Sequence, residues 1–284
     1  MKMQNIISIS NQKGGVGKTT SAVSLAAEMA RMGRSVLLVD LDPQASASSG
    51  LGVELLPEGE DLYDVFFGKM ALEKIVKTCL IKGLHVVPAS KDLVSLELEI
   101  GKTQGRELIL QTELSLLRKK YDYIYIDCPP SSGLLTLNAL GASDYILIPL
   151  QAEYYALEGI SGLMNTVNFV RQTFNPKLEL LGVFLTMFDT RTKLSTLVEK
   201  EARNYFKDLV FKTIIPRNIR LSECPSYSQP ICIYDPKSIG AKAYHELAIE
   251  IDFRAIRKFK EKQDALDRLK EKLKEESLKN VSNN

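Results

Sequence analysis

Lys13-Gly14-Gly15-Val16-Gly17-Lys18-Thr19-Thr20 is the most informative stretch of this chain. A short apolar run precedes it (Ile6, Ile7, Ile9), and an apolar-periodic segment, predicted as a helix over about 18–32, follows it. Strand, glycine turn and helix in that order are the setting of a phosphate-binding loop. Glycines let backbone N–H groups converge on a polyphosphate without Cβ interference, and the helix aims its partial positive end at the same anion. In this reading Gly14, Gly15, Val16 and Gly17 form the cradle, Lys18 reaches the β- and γ-phosphates, Thr19 gives its hydroxyl to Mg²⁺, and Thr20 adds a nucleotide contact. The general pattern G-x-x-x-x-G-K-[ST] has its first glycine where this chain has Gln12. The form present is K-G-G-x-G-K-[ST], with a second lysine, Lys13. A plain turn has no use for two flanking lysines and paired threonines, so the stretch predicts a site for ATP and Mg²⁺.

The gross numbers set bounds. A chain of 284 residues, 45% hydrophobic, can bury a sizeable core and is expected to form one large domain. No apolar run approaches the ~18 residues that span a bilayer. The N-terminus lacks a charged-then-apolar leader pattern, so a cytoplasmic location is expected. Cys79, Cys128, Cys224 and Cys232 show no C-x-x-C spacing, and His85 and His245 are far apart, which argues against a zinc site or a disulfide framework. Net charge is +2. Residues 253–284 hold ten Lys/Arg against six Asp/Glu, so any DNA binding by the rest of the chain has to come from a local patch.

Strands are predicted near 5–10, 35–40, 84–88, 122–127, 145–149, 180–187 and 210–214. Helices are predicted at 18–32, 106–120, 133–141, 156–173, 193–206 and 238–251. Runs such as Val36-Leu37-Leu38-Val39 and Ile124-Tyr125-Ile126 are continuously apolar, as suits a parallel sheet covered on both faces. The alternation predicts a doubly wound, mostly parallel α/β fold of the P-loop NTPase type, with ligands at the carboxyl ends of the strands. Residues 1–252 are read as that domain. Residues 253–284 are read as a charged helical tail, frayed at its end, because they lack Gly and Pro and are rich in strong helix formers. Phe259, Leu266 and Leu273 recur every seven residues, but Gln263 and Lys270 at the alternate seam positions weaken a coiled coil. Packing of the few leucines on the domain is the simpler expectation.

Two further segments carry chemistry. Asp127 ends the apolar run YIYID, where a P-loop protein places an aspartate for Mg²⁺, and Cys128-Pro129-Pro130 then forces the chain out of the sheet. Asp40 and Asp42 lie in VDLDPQ at the end of the second predicted strand. Both segments are natural switch elements, placed to sense a γ-phosphate.

These motifs together carry a resemblance. ISNQKGGVGKTT, VLLVDLDPQASASSGLG at 36–52, YDYIYIDCPPSSGLLTLNAL at 121–140, IPLQAEYYALEGI at 148–160 and TIIPRNIRLSECPSYSQPICIYDPKSIGAKAY at 213–244 resemble the ParA/Soj partition ATPases of the MinD/ParA group. The likeness covers roughly residues 3–251 and is nearest the short, Soj-like members. The first strand is expected almost at Met1, which leaves no room for the DNA-reading domain of longer plasmid ParA proteins.

The resemblance implies specific roles. Asp42 orients or activates the attacking water, and Asp40 lies near the metal. Lys13 reaches across a dimer to the partner's nucleotide and supplies charge to the transition state, as an arginine finger does elsewhere. Catalysis then rests on Lys13, Lys18 and Asp42, and the metal on Thr19, Asp40 and Asp127. Pro216 and Arg217 are expected near adenine. Arg191 and Arg220 match DNA-contacting arginines of the Soj proteins, and Lys193 and Lys242 extend the patch.

The implied function is an ATP-dependent homodimer that binds double-stranded DNA without sequence preference. It associates with the nucleoid while ATP-bound and is reset when a ParB/Spo0J-like partner stimulates hydrolysis. A MinD-like membrane-cycling ATPase is the alternative, opposed by Asp264, Asp267, Glu271, Glu275 and Glu276 in the tail, so no stable membrane anchoring is expected. A ParA-like positioner of another cargo, such as a flagellum or carboxysome, uses the same switch. An iron–sulfur cluster on Cys128, as in the nitrogenase iron protein that shares this loop, lacks a nearby partner cysteine.

Overall fold

Apolar runs that are continuous in sequence become strands buried on both faces. The computed structural model describes residues 3–101, 103–153 and 156–282. Among them, strands β1 (Asn5–Ile9), β2 (Val36–Asp40), β3 (Lys77–Thr78), β4 (Leu84–Val87), β5 (Tyr123–Asp127), β6 (Tyr145–Gln151) and β7 (Glu179–Thr186) form one sheet. Its order is β3-β4-β2-β5-β1-β6-β7. All pairings are parallel except β3 with β4. The helices are α1 (Lys18–Arg31), α2 (Ser46–Gly50), α3 (Leu62–Phe66), α4 (Leu96–Glu99), α5 (Ile109–Leu117), α6 (Leu134–Ala142), α7 (Ala156–Thr173), α8 (Lys193–Phe206), α9 (Ile219–Glu223), α10 (Ile231–Tyr234) and α11 (Ile239–Ser282).

The period-2 alternation within each strand sorts the core. Ile7, Ile9, Val36, Leu38, Tyr123 and Tyr125 face α1 and α11. Ile6, Leu37, Val39, Ile124 and Ile126 face the layer built from α3, α5 and α6. A third cluster joins Ile146, Ile148, Val183 and Leu185 to α7 and α8. Burial on both faces of the central strands is the physical reason the runs carry no polar alternation.

Two expectations are corrected. Residues 210–214 do not form a strand; Val210 makes an isolated bridge to Val183, the Phe211 amide donates to the Val183 carbonyl at 2.8 Å, and a second isolated bridge joins Phe188 to Pro216 just beyond. The amides of Lys212 (2.9 Å) and Thr213 (3.1 Å) donate instead to the Glu250 carboxylate on α11, so a side chain replaces a ladder. The antiparallel pair β3–β4 and the short helices α2, α3, α4, α9 and α10 were absent from the pattern.

The predicted boundary at 252/253 lies within a single helix, α11. Asp252 there is buried and accepts from Arg34 (2.7 Å) and from the Tyr123 hydroxyl (2.7 Å). Lys258 and Lys262 then pair with Glu179 at 2.6 and 2.8 Å. The first two turns of the expected tail are thus fastened to the domain. Residues 283–284, at the expected frayed end, and the side chain of Leu273 in the predicted seam lie outside what is described.

Candidate nucleotide-binding site

Three neighbouring strands, β2, β5 and β1, deliver the site from their carboxyl ends. Asp127 stands in register with both Ile9 and Asp40, so the loop after β1, the acids after β2 and the acid ending β5 meet at one edge. The loop itself is fixed from several sides. Asn11 donates to the Pro149 carbonyl (2.8 Å) and accepts from the Lys13 amide (3.0 Å). The Thr186 hydroxyl donates to the Val16 carbonyl at 2.9 Å. Gly15 (φ 73) and Gly17 (φ 88) adopt the left-handed conformation that side chains disfavour, and Gly17 caps α1. Gly14 is exposed, and a Cβ there would meet nothing within 4 Å among the described residues.

The two lysines of the motif point to different partners. Lys18 is buried and donates to the Lys13 carbonyl at 3.1 Å, lying in the loop that would hold phosphates. Burial lowers its pKa, and Asp127, Cys128 and Asp42 act the other way. The Lys13 ammonium instead pairs with Glu153 at 2.8 Å, with side chains 36% and 45% exposed. Gln151 donates to the other Glu153 oxygen at 2.5 Å.

The acids also separate by environment. Asp40 is buried and accepts from the Ser48 amide (2.8 Å) and hydroxyl (2.7 Å) and from the Asp42 amide (3.2 Å). Burial pushes its pKa up to about 6 despite these bonds. Asp127 is buried, and among the described residues neither carboxylate oxygen has a hydrogen-bond partner. Burial first and Asp40 second raise its pKa well above the ordinary value, while Thr19 and Lys18 act in the opposite sense. Asp42 is half-buried, and its side chain accepts from the Gln44 amide at 3.0 Å, an Asx turn that fixes its direction. Asp40, Asp42, Asp127, Thr19 and Lys18 are therefore brought together.

A cleft of ≈ 280 Å³ adjoins the loop, lined among others by Gly17, Thr20, Pro216, Arg217, Asn218 and Tyr244. Pro216 and Arg217 line it. Asn218, next in the same stretch but not among the candidate contacts, has a buried Oδ1 with no partner among the described residues. Met187, also on the cleft wall, has φ 52, a conformation its sequence does not announce.

The four expected DNA contacts are exposed. Arg191 is gripped by Asp189 through two bonds, 2.9 and 2.7 Å. Arg220 on α9 pairs with Glu223 (2.8 Å) and Asp235 (3.4 Å). Lys193 begins α8, and Lys242 lies in the first turn of α11.

A family model described as an AAA domain matches residues 4–180. The sporulation initiation inhibitor protein Soj of Bacillus subtilis is 51% identical over 249 residues, 88% of this chain and 98% of that protein. The chromosome partitioning protein ParA of Myxococcus xanthus is 50% identical over 246 residues, 87% of each chain. Among solved structures, cobyrinic acid a,c-diamide synthase from Mycobacterium smegmatis with bound ADP and magnesium superposes with a TM-score of 0.76 at 35% identity, covering 87% of this chain and 93% of that one. Identity of about one half, sustained across nearly the whole of both partition proteins, exceeds what a shared fold requires. The chain belongs to the ParA/Soj family of chromosome-partitioning ATPases.

Proposed function

We propose that this protein is an ATP-dependent dimerising switch, with two nucleotides held between facing P-loops. The observation that carries the reading is the divergence of the two lysines. Lys18 lies in the phosphate cradle, whereas Lys13 is held at the loop's half-exposed edge, beside a Gly14 with open space where a side chain would be. A second copy approaching that edge meets Gly14 without obstruction and receives Lys13.

In the bound state Lys18, the amides of the loop and the N-terminus of α1 bind the phosphates, with Thr19 and Thr20 alongside. Asp127 is the group best suited to a divalent cation, because a buried carboxylate with both oxygens unpartnered is costly until a cation or proton arrives. Few protein ligands are needed, since Mg²⁺ is usually bound by one or two carboxylates plus substrate phosphates and water. Thr19 supplies a hydroxyl, and Asp40, already satisfied by Ser48, acts from behind. When bound, Mg²⁺ neutralises charge on the β- and γ-phosphoryl oxygens. Asp42 orients the attacking water. Pro216, Arg217 and Asn218 enclose the base, Asn218 Oδ1 being an acceptor suited to an amino group.

The dimer binds double-stranded DNA without sequence preference through Arg191, Arg220, Lys193 and Lys242, and a ParB-type partner resets it by stimulating hydrolysis. Switching follows from linkage, because a ligand that binds the dimer better than the monomer shifts the equilibrium to the dimer. Residues 1–252 carry this machinery, with the rest of α11 as an appended helix. Gel filtration with ATP, with ADP and without nucleotide, each with and without duplex DNA, tests the reading. A dimer in ATP alone that carries DNA supports it; a monomer in all three conditions overturns it. So would normal ATP-driven dimerisation of the Gly14→Val protein. Sedimentation with anionic vesicles in ATP instead of DNA would transfer the protein to the membrane-cycling class.

A further inference from the structure

The P-loop's first position, glycine in the general pattern, is Gln12 here, and its carboxamide joins two other elements. Nε2 donates to the Ser132 hydroxyl at 2.6 Å and to the Thr166 hydroxyl at 3.3 Å. Ser132 lies in the loop that leaves Asp127 and enters α6. Thr166 is on α7, where its own hydroxyl donates to the Gly162 carbonyl at 3.3 Å. Gly162 makes the arrangement possible, since a Cβ there would stand 2.5 Å from Gln12 Oε1. The carboxamide thus lies flat against the α7 backbone in a space that only glycine leaves. Helix α7 in turn follows the segment holding Glu153, the partner of Lys13.

We propose that Gln12 is a positioning residue that couples the loop after Asp127 to the P-loop and α7, so that the γ-phosphate state read by that loop reaches Lys13. This rests on the switch reading above and deepens it. A glycine at position 12 has no side chain with which to make either bond. The bonds to phosphate are made by other residues, so loss of the Gln12 carboxamide leaves ADP binding intact. What is lost is the difference between ATP and ADP.

The test compares wild-type protein with Gln12→Ala and Gly162→Ala. The second variant displaces the same carboxamide from the opposite side without touching the P-loop. It also replaces a mid-helix glycine by the best helix former, so it should not destabilise α7 through propensity. Sedimentation at saturating Mg-ATP and Mg-ADP gives the dimerisation constants, and titration with fluorescent ATP and ADP gives the affinities. Loss of the shorter of the two neutral bonds, that to Ser132, corresponds to about fivefold per protomer, hence about 25-fold for the dimer. Both variants should lower the ATP dimerisation constant by about that factor, reduce ATP-over-ADP discrimination and leave ADP affinity unchanged. Ser132→Ala should reproduce part of the loss and add little to Gln12→Ala, because the two share a bond.

Full ATP-over-ADP discrimination in Gln12→Ala overturns the inference, as does an equal loss of ATP and ADP affinity. A Gly162→Ala protein that behaves as wild type while Gln12→Ala fails overturns it too. If the wild-type protein itself never dimerises, the switch reading fails, and the affinity ratio for the two nucleotides still decides the role of Gln12.

Discussion

Replacing Glu153 by Gln should strengthen the ATP-bound dimer. Lys13 cannot hold Glu153 of its own chain and reach a partner's nucleotide at once, so the 2.8 Å ion pair must break when the dimer closes. With side chains 36% and 45% exposed, the pair is partly solvated and contributes about 0.2–1 kcal/mol. Two copies break per dimer, which doubles the cost to about 0.4–2 kcal/mol. At about 1.4 kcal/mol per decade, Glu153→Gln raises the dimerisation constant between about 2- and 30-fold. Removing an acid near phosphates also favours nucleotide binding, so the constant has to be measured at saturating Mg-ATP by sedimentation equilibrium. The gain should shrink with added salt, because a half-exposed pair is screened. An unchanged or weaker dimer would refute the reasoning and make Glu153 a support for Lys13 in the closed state. An equal gain in ADP would show that the effect is not linked to the γ-phosphate.

Three other outcomes follow from the same geometry. Asp42→Ala should retain ATP binding while hydrolysis falls about 10²–10⁴-fold, leaving a dimer that persists on DNA; loss of ATP binding in a filter assay would show the carboxylate to be structural. Arg191→Ala combined with Arg220→Ala should keep ATP-driven dimerisation and lose DNA affinity equally across sequences. Four arginines per dimer correspond to roughly −3.6 in the slope of log affinity against log salt, so an unaltered slope removes this surface from the interface. Gly182→Ala should destabilise the fold, because its Cβ would lie 2.4 Å from Phe211 Cε2, 2.6 Å from Arg254 Nη1 and 2.7 Å from the Leu209 carbonyl. Overpacking of this kind costs about 1–3 kcal/mol and lowers the calorimetric midpoint by several degrees, against which an unchanged midpoint would count directly.

The exposure of those arginines was legible in sequence, but their engagement was not. Asp189, Glu223 and Asp235 hold them in ion pairs that only folding brings together. Such pairs are solvated and contribute little, so in the proposed DNA interface they would give way to phosphates. The central strands were legible because burial on both faces leaves an uninterrupted apolar run. Residues 210–214 are interrupted by Lys212 and Thr213, whose amides go to Glu250, distant in sequence, instead of to a ladder. Helix α3 was missed although Asp61 and Asp64 form its capping box, a local signal that Asp in place of Glu made easy to overlook. Composition changes at the proposed boundary at 252, where Asp252 accepts from Arg34 and Tyr123 and ties α11 to the sheet. Composition reports solvent exposure, and a helix can become exposed without ending.

The site's charges show why nucleotide and cation belong together. Without them, Lys18 donates to a backbone carbonyl, Lys13 is occupied by Glu153, and Asp127 has no donor at either oxygen. A nucleotide alone would satisfy Lys18 and the N-terminus of α1 but would bring phosphate charge toward Asp40, Asp42 and Asp127, where the charge of Asp42 already raises the pKa of Asp40 and that of Asp127. A cation alone would satisfy Asp127 and oppose Lys18. Together they pair each sign with its opposite. The γ-phosphate adds what ADP lacks, a negative charge near the edge where Gly14 leaves room and Lys13 waits on a weak bond. Because that bond is intramolecular and partly solvated, a second protomer's phosphate would displace it in the proposed dimer, whereas a buried pair at the same place would lock the lysine to its own chain.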